Sequence, residues 1–212
     1  MRNESPNCLP RAVNDHRAVL RLAFIDSLPV LMGYLAMGFA AGVLLAARGN
    51  LRLAPLWALL TSTTWITGTM SIACVPAIAT RASLGVLALM TLAVNFRYVF
   101  YGFSMLRPWR GLPLFHKLYM ILMLTDETYA LEEASVFHNP RKNLRYCTYI
   151  SMFNHLYWVS GVTSGAVAVY LLGMAMSPEA VRRYTNGMEF AMVALILAIF
   201  TDQIMGFLRH EG

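Results

Sequence analysis

Apolar residues in this 212-residue chain gather into runs of about twenty, separated by short stretches rich in Arg, Lys, Pro, Asn and Gly. A helix rising ~1.5 Å per residue needs about that many residues to cross a hydrocarbon core of ~30 Å. Strands of a membrane barrel would instead alternate over about ten residues. The pattern predicts six spanning helices, at residues 29–47, 55–79, 83–106, 113–131, 146–172 and 187–208. A short helix at 18–26 should stop before Pro29, because proline disfavours helical geometry in the residue preceding it. Span 55–79 carries Gly68 and Pro76 among small polar residues, which predicts a broken or partly re-entrant segment enclosed by protein or water. The expected fold is all-α, a polytopic membrane bundle of about six spans with one or two broken helices. Residues 1–17 are polar with two prolines and read as a disordered cytoplasmic arm without a signal peptide. Residues 18–208 then form a single transmembrane domain, and 209–212 a tail.

Composition strengthens this picture: 58% of residues are apolar, 13% are charged, and the mean hydropathy is +0.53. A soluble enzyme is excluded. The net charge of +6 would suggest nucleic acid in a soluble chain, but here the basic residues sit between apolar runs, where they meet the headgroups of a bilayer. No nucleic-acid partner is expected. Arg2, Arg11, Arg17 and Arg21 before the first span favour a cytoplasmic N-terminus in a plasma (inner) membrane. Cys8, Cys74 and Cys147 show neither CxxC nor His-rich spacing, so neither a disulfide framework nor a metal site is expected.

Chemistry concentrates in the ionisable residues within the spans: Asp26, Arg97, Asp126, Glu127, Glu189 and Asp202. Each costs roughly 2.5–3.5 kcal/mol near a bilayer centre, so they should be paired, protonated or facing water, and converge on one polar interior. Asp126 and Glu127 are adjacent, and a helix turns ~100° per residue, so they cannot point the same way. Counted back from Glu132-Glu133, Asp126 is the deeper and is expected to be a water-lined acid, with Glu127 pairing structurally. The competing reading is that Thr125-Asp126-Glu127 only caps and breaks a helix. Gly38/Gly42 and Gly161/Gly165 are GxxxG spacings that let helix backbones approach, and they read first as packing within the chain and second as an interface with a partner subunit. A weaker echo, NxxYxxxG, occurs at Asn95/Tyr98/Gly102 and Asn154/Tyr157/Gly161.

Four segments carry a family likeness: Asp26-Ser27-Leu28-Pro29 followed by Gly38 and Gly42, the stretch NFRYVFYGFS at 95–104, Leu124-Thr125-Asp126-Glu127, and Glu189-Phe190-Ala191. In their order and spacing the chain resembles the AzlC family (YgaZ/BrnF-type) over about residues 20–205. That resemblance implies the large subunit of a secondary transporter that exports branched-chain, L-valine-like amino acids together with a small AzlD-type membrane subunit. It implies neither an enzyme nor a cofactor. A zwitterionic substrate with an aliphatic tail needs a cation or helix N-terminus for its carboxylate, an anion or carbonyls for its ammonium, and an apolar pocket. On this reading Arg97, Asn95, Tyr98, Tyr101, Gly68 and Ser71 bind substrate. Asp126 carries a proton with Asp26 as relay and Glu127 beside it. Where the family has Gly-Ala-Ser-Gln, this chain has Gly68-Thr69-Met70-Ser71, and Val193 stands where a proline is common. Many relatives also continue beyond the position of Gly212. The alternative is a channel for a small solute or ion. Hydrolase signatures such as His-Glu-x-x-His are missing from the sequence.

Overall fold

A computed structural model describes residues 16–48, 52–64, 68, 70–71, 74, 77, 80–107, 109–110, 112–134, 140–187, 190, 194 and 201. Among them the chain is helical and shows no strand. The elements are α1 (His16–Arg48), α2 (Ala54–Thr64), α3 (Leu84–Met105), α4 (Leu114–Leu122), α5 (Asp126–Glu133), α6 (Pro140–Ala175) and α7 (Pro178–Thr185). Within α1, α3 and α6 lie stretches of 32, 22 and 32 residues that are long and apolar enough to cross a membrane. Span 83–106 coincides with α3, and spans 29–47 and 146–172 lie inside the longer α1 and α6. Glu189, Asp202, Val193 and most of span 187–208 fall outside the described residues.

Two expectations are corrected. Pro29 does not end a helix: α1 runs through it. Proline removes one backbone donor, a loss that membrane helices tolerate when nearby polar side chains support the backbone. Ser27, fully buried two residues earlier, donates to the Phe24 carbonyl at 2.9 Å and shares a 3.0 Å hydrogen bond with the Tyr157 hydroxyl. Nor is 113–131 a single span. Helix α4 stops at Leu122 and α5 starts at Asp126, because Thr125 adopts an extended backbone (φ −95°, ψ 177°) and its Oγ1 accepts the Thr128 N–H at 3.3 Å. This is an N-cap, and Asp126 and Glu127 occupy the first turn, where the helix dipole favours negative charge.

The polar letters of α2 are satisfied within the helix. The Thr61 hydroxyl donates to the Trp57 carbonyl at 2.7 Å, Ser62 to Leu59 at 3.2 Å and Thr64 to Leu60 at 3.0 Å. Such back-bonding lets hydroxyls occupy an apolar helix without a water-filled neighbour.

The chain divides into two compact units, residues 1–33 with 90–157, and residues 34–89 with 158–212. The core of the first unit gathers Val19, Ala23, Met105, Trp109, Met120 and Ile150 from α1, the end of α3, α4 and α6. In the second unit the two GxxxG motifs interlock. A methyl group on Gly38 would stand 3.0 Å from the Val162 nitrogen and 3.1 Å from the Gly161 Cα, while one on Gly161 would stand 2.8 Å from the Tyr34 carbonyl. On Gly42 it would collide with the Val162 carbonyl oxygen, and on Gly165 with that of Phe39. The small-residue faces are thus consumed inside the chain, with Tyr34 meeting Trp158 edge-on at 6.0 Å beside the crossing. On α3, by contrast, Leu84, Leu89 and Phe103 are more than two-thirds exposed, which suits a face whose solvent is lipid.

Candidate functional site

Helix α3 carries one partly covered stripe, at positions 87, 90, 91, 94, 95, 98, 101, 102 and 105, and is exposed elsewhere. This spacing is the inward face of a packed helix. Asn95, Tyr98 and Tyr101 lie on that stripe. Arg97 stands at its margin, four residues before Tyr101 and so one turn beneath it.

The structure brings Arg97 and Asp126 together: Nη1 lies 2.8 Å from Oδ2, with the two side chains 45% and 37% exposed. The Arg97 guanidinium also covers the Tyr98 ring at 5.3 Å, within cation–π range. Tyr98 and Tyr101 pack at 6.0 Å, Tyr101 stacks on Tyr129 of α5 at 4.4 Å, and the Tyr129 hydroxyl lies 3.3 Å from Ser104 Oγ. The result is a charge pair resting on three tyrosine rings. Two side-chain acceptors, Asp126 Oδ1 of the pair itself and Asn95 Oδ1 on the inward stripe of α3, are screened from solvent and make no hydrogen bond of ordinary geometry. They are groups that a ligand's N–H donors would satisfy.

The other expected site residues are placed differently. Asp26 is half-buried on α1 and accepts the Tyr146 hydroxyl at 2.8 Å, a separate contact from the Arg97–Asp126 pair. Glu127 is exposed, on the first turn of α5. Gly68 and Ser71 belong to the second unit, where Gly68 packs so closely on Met37 and Trp158 that an added Cβ would stand 3.0 and 3.4 Å from them. Ser71 is partly buried.

Sequence reasoning missed a buried polar seam in the first unit. Thr125, Thr128 and Glu132 share one face of α5 and meet Cys147, Ser151 and Asn154, which share one face of α6; all six are buried. Asn154 Nδ2 donates to Thr128 Oγ1 at 2.9 Å, Thr128 Oγ1 lies 3.0 Å from Thr125 Oγ1, and Ser151 Oγ donates to Glu132 Oε1 at 3.0 Å. Two acceptors remain open, Asn154 Oδ1 and Glu132 Oε2. Asn95 and Asn154, the leading residues of the NxxYxxxG echo, thus share an open side-chain carbonyl. In the sequence Glu132 falls in a polar pair just beyond span 113–131, yet it is only 1% exposed. Three- and four-residue spacing from the Thr125 cap would have found it. Glu132 lies outside the three spanning helices, and burial pushes its carboxyl up to about 8 against the opposing hydrogen bonds from Ser151 and Cys147.

Comparison with known proteins places these features in a family. The family model described as AzlC protein matches residues 29–172. The chain is 30% identical to the "Branched-chain amino acid transport protein AzlC" of Bacillus subtilis (strain 168), over 98% of this chain and 79% of that one. It is 30% identical to an "Uncharacterized membrane protein" of Helicobacter pylori (strain J99), covering 94% and 82% of the two chains. A Haemophilus influenzae protein with the same description is 31% identical, covering 91% and 74%. No solved structure matches the chain.

Proposed function

This chain belongs to the AzlC family, and on that footing we propose that it is a secondary transporter exporting branched-chain, L-valine-like amino acids by proton antiport with a small AzlD-type membrane subunit. The name of the Bacillus subtilis relative supports the substrate class. The observation that carries the reading is the Arg97–Asp126 pair with its two open acceptors. A zwitterion brings one charge of each sign, so it can enter such a pair without leaving a charge uncompensated. Its carboxylate takes Arg97, while its ammonium takes Asp126 Oδ1 and Asn95 Oδ1. The cost of a lone charge in a membrane, roughly 2.5–3.5 kcal/mol on insertion scales, is avoided at every stage. The faces of Tyr98 and Tyr101 offer apolar surface to the aliphatic tail.

Asp126 is then the acid at which ammonium and proton compete, and Asp26, held by Tyr146, is its relay. Glu127 supports the helix start. Gly68 and Ser71 are assigned to substrate selection, Ser71 supplying a short hydroxyl in place of a long amide. Both GxxxG faces are occupied internally, so the small subunit docks on other surface.

The test uses the full chain co-reconstituted with its small subunit in vesicles loaded with labelled L-valine. Arg97→Gln is expected to lower efflux at least tenfold, which corresponds to ~1.4 kcal/mol, with folded protein retained. Wild-type efflux by Arg97→Gln would refute the assignment.

A further inference from the structure

Glu132 is the one acid among the described residues whose side chain is buried, and it lies six residues beyond the acid assigned to substrate. Its Oε1 accepts the Ser151 hydroxyl, while Oε2 is buried without a hydrogen-bond partner. No described arginine, lysine or histidine is ion-paired with it, whereas Asp126 has Arg97. The groups that face it from α6 are Ser151, the Cys147 thiol and the Tyr146 phenol; Tyr146 is in turn bonded to Asp26 of α1. The Trp109 indole lies beside the same thiol, its N–H making no hydrogen bond of ordinary geometry. Each direct neighbour is neutral at physiological pH. A carboxylate here would be a buried charge with two neutral donors, the Ser151 hydroxyl and the Cys147 thiol, and no counter-ion among the described residues, the arrangement that protonation relieves. Ser151 and Cys147 stand one helical turn apart, so α6 presents its polar side chains to this carboxyl from a rigid helix.

We propose that Glu132 is a second proton-binding site of the transporter, its Oε2 taking a proton from the aqueous phase in one conformation and returning it in another. This rests on the proton-coupled export reading and extends it. Asp126 exchanges partners between Arg97 and the substrate ammonium. Glu132 stores a proton in a place that substrate does not touch. The step is a proton transfer alone: water or hydronium gives the proton to Oε2, and the same O–H bond breaks on release.

The first test needs no transport. Infrared spectra of the full chain in lipid nanodiscs, titrated from about pH 5 to about pH 10, report the carbonyl stretch of a protonated carboxyl. The expected wild-type band persists at neutral pH and disappears through about 8. Glu132→Gln should remove it, and Asp126→Asn and Asp26→Asn should keep it. Ser151→Ala deletes the donor that favours the carboxylate and should move the loss to higher pH, a shift that a merely structural serine would not produce. A wild type without such a band at neutral pH, a band surviving in Glu132→Gln, or an unmoved midpoint in Ser151→Ala would overturn the proposal. Ser151→Ala keeps the question decidable should Glu132→Gln fail to fold. In vesicles, Glu132→Gln should exchange valine at equal pH yet lose gradient-driven efflux, and full gradient-driven efflux would also overturn the proposal. Absence of valine flux in the wild type would instead sink the export reading and leave the titration to decide on Glu132.

Discussion

Two glycines on one helix offer an internally controlled test of packing. At Gly42 of α1 an added Cβ would lie 2.9 Å from the Ala166 nitrogen and the Val162 carbonyl carbon and would collide with the Val162 oxygen. At Gly33 of the same helix it would meet nothing within 4 Å. The Val162 oxygen is the nearest atom, so Gly42→Ala has to drive the backbones of α1 and α6 apart by more than about an ångström to restore ordinary contact. A gap of that size forfeits about half of each dispersion well along the crossing, and overpacking of this kind costs ~1–3 kcal/mol or more. Gly33→Ala gains up to ~1 kcal/mol of helix propensity and loses no contact. Reversible unfolding in mixed micelles, followed by far-UV circular dichroism, would measure both variants. Gly42→Ala should be destabilised and Gly33→Ala neutral or better. A difference below about 0.5 kcal/mol between them would refute the close crossing, since surface substitutions alone vary by that much.

Thr125→Ala removes the hydroxyl that caps α5 and should cost ~0.5–2 kcal/mol in the same unfolding assay, with Thr125→Ser recovering most of it; equal stability of Thr125→Ala and wild type would argue against the cap. Asp126→Asn should abolish efflux driven by an imposed pH gradient while leaving valine exchange measurable, and gradient-driven efflux at the wild-type level would end its proton role.

The long elements were legible because a bilayer imposes one length and one polarity on them, so the run at 83–106 maps onto α3 at Leu84–Met105 almost residue for residue. Pro29 crowds the residue before it and so reads as a helix end, yet α1 continues through it. Two residues before it, the Ser27 hydroxyl is bonded to Tyr157 of α6, a long-range contact that hydropathy cannot encode. The corner at Met123–Thr125 was legible only in the competing reading, that Thr125-Asp126-Glu127 caps and breaks a helix, because the apolar run before it reads as one continuous span. Helix α7 was overlooked although Ser177-Pro178 is a start signal: Ser177 Oγ accepts the Ala180 N–H at 3.3 Å, and Pro178 holds the first turn. Its eight residues are too polar to register as a span. At the site, the cost of an isolated charge called for the span residues to be paired, protonated or facing water, and Arg97 lies 2.8 Å from Asp126. Glu132 was not legible because depth had been counted along a straight helix. Once Thr125 starts a new helix, residues 128 and 132 turn inward together.

The central claim is that the Arg97–Asp126 pair belongs to a carrier for branched-chain amino acids rather than to a pore. The most direct measurement is the efflux of L-valine, L-leucine and L-isoleucine, with D-valine as control, from vesicles containing the chain and the proposed small subunit, over a range of internal concentrations. We expect flux that saturates, prefers the L-enantiomer and accelerates when the external face is acidified. Flux that rises linearly with concentration and treats L- and D-valine alike would contradict the account and make the molecule a channel.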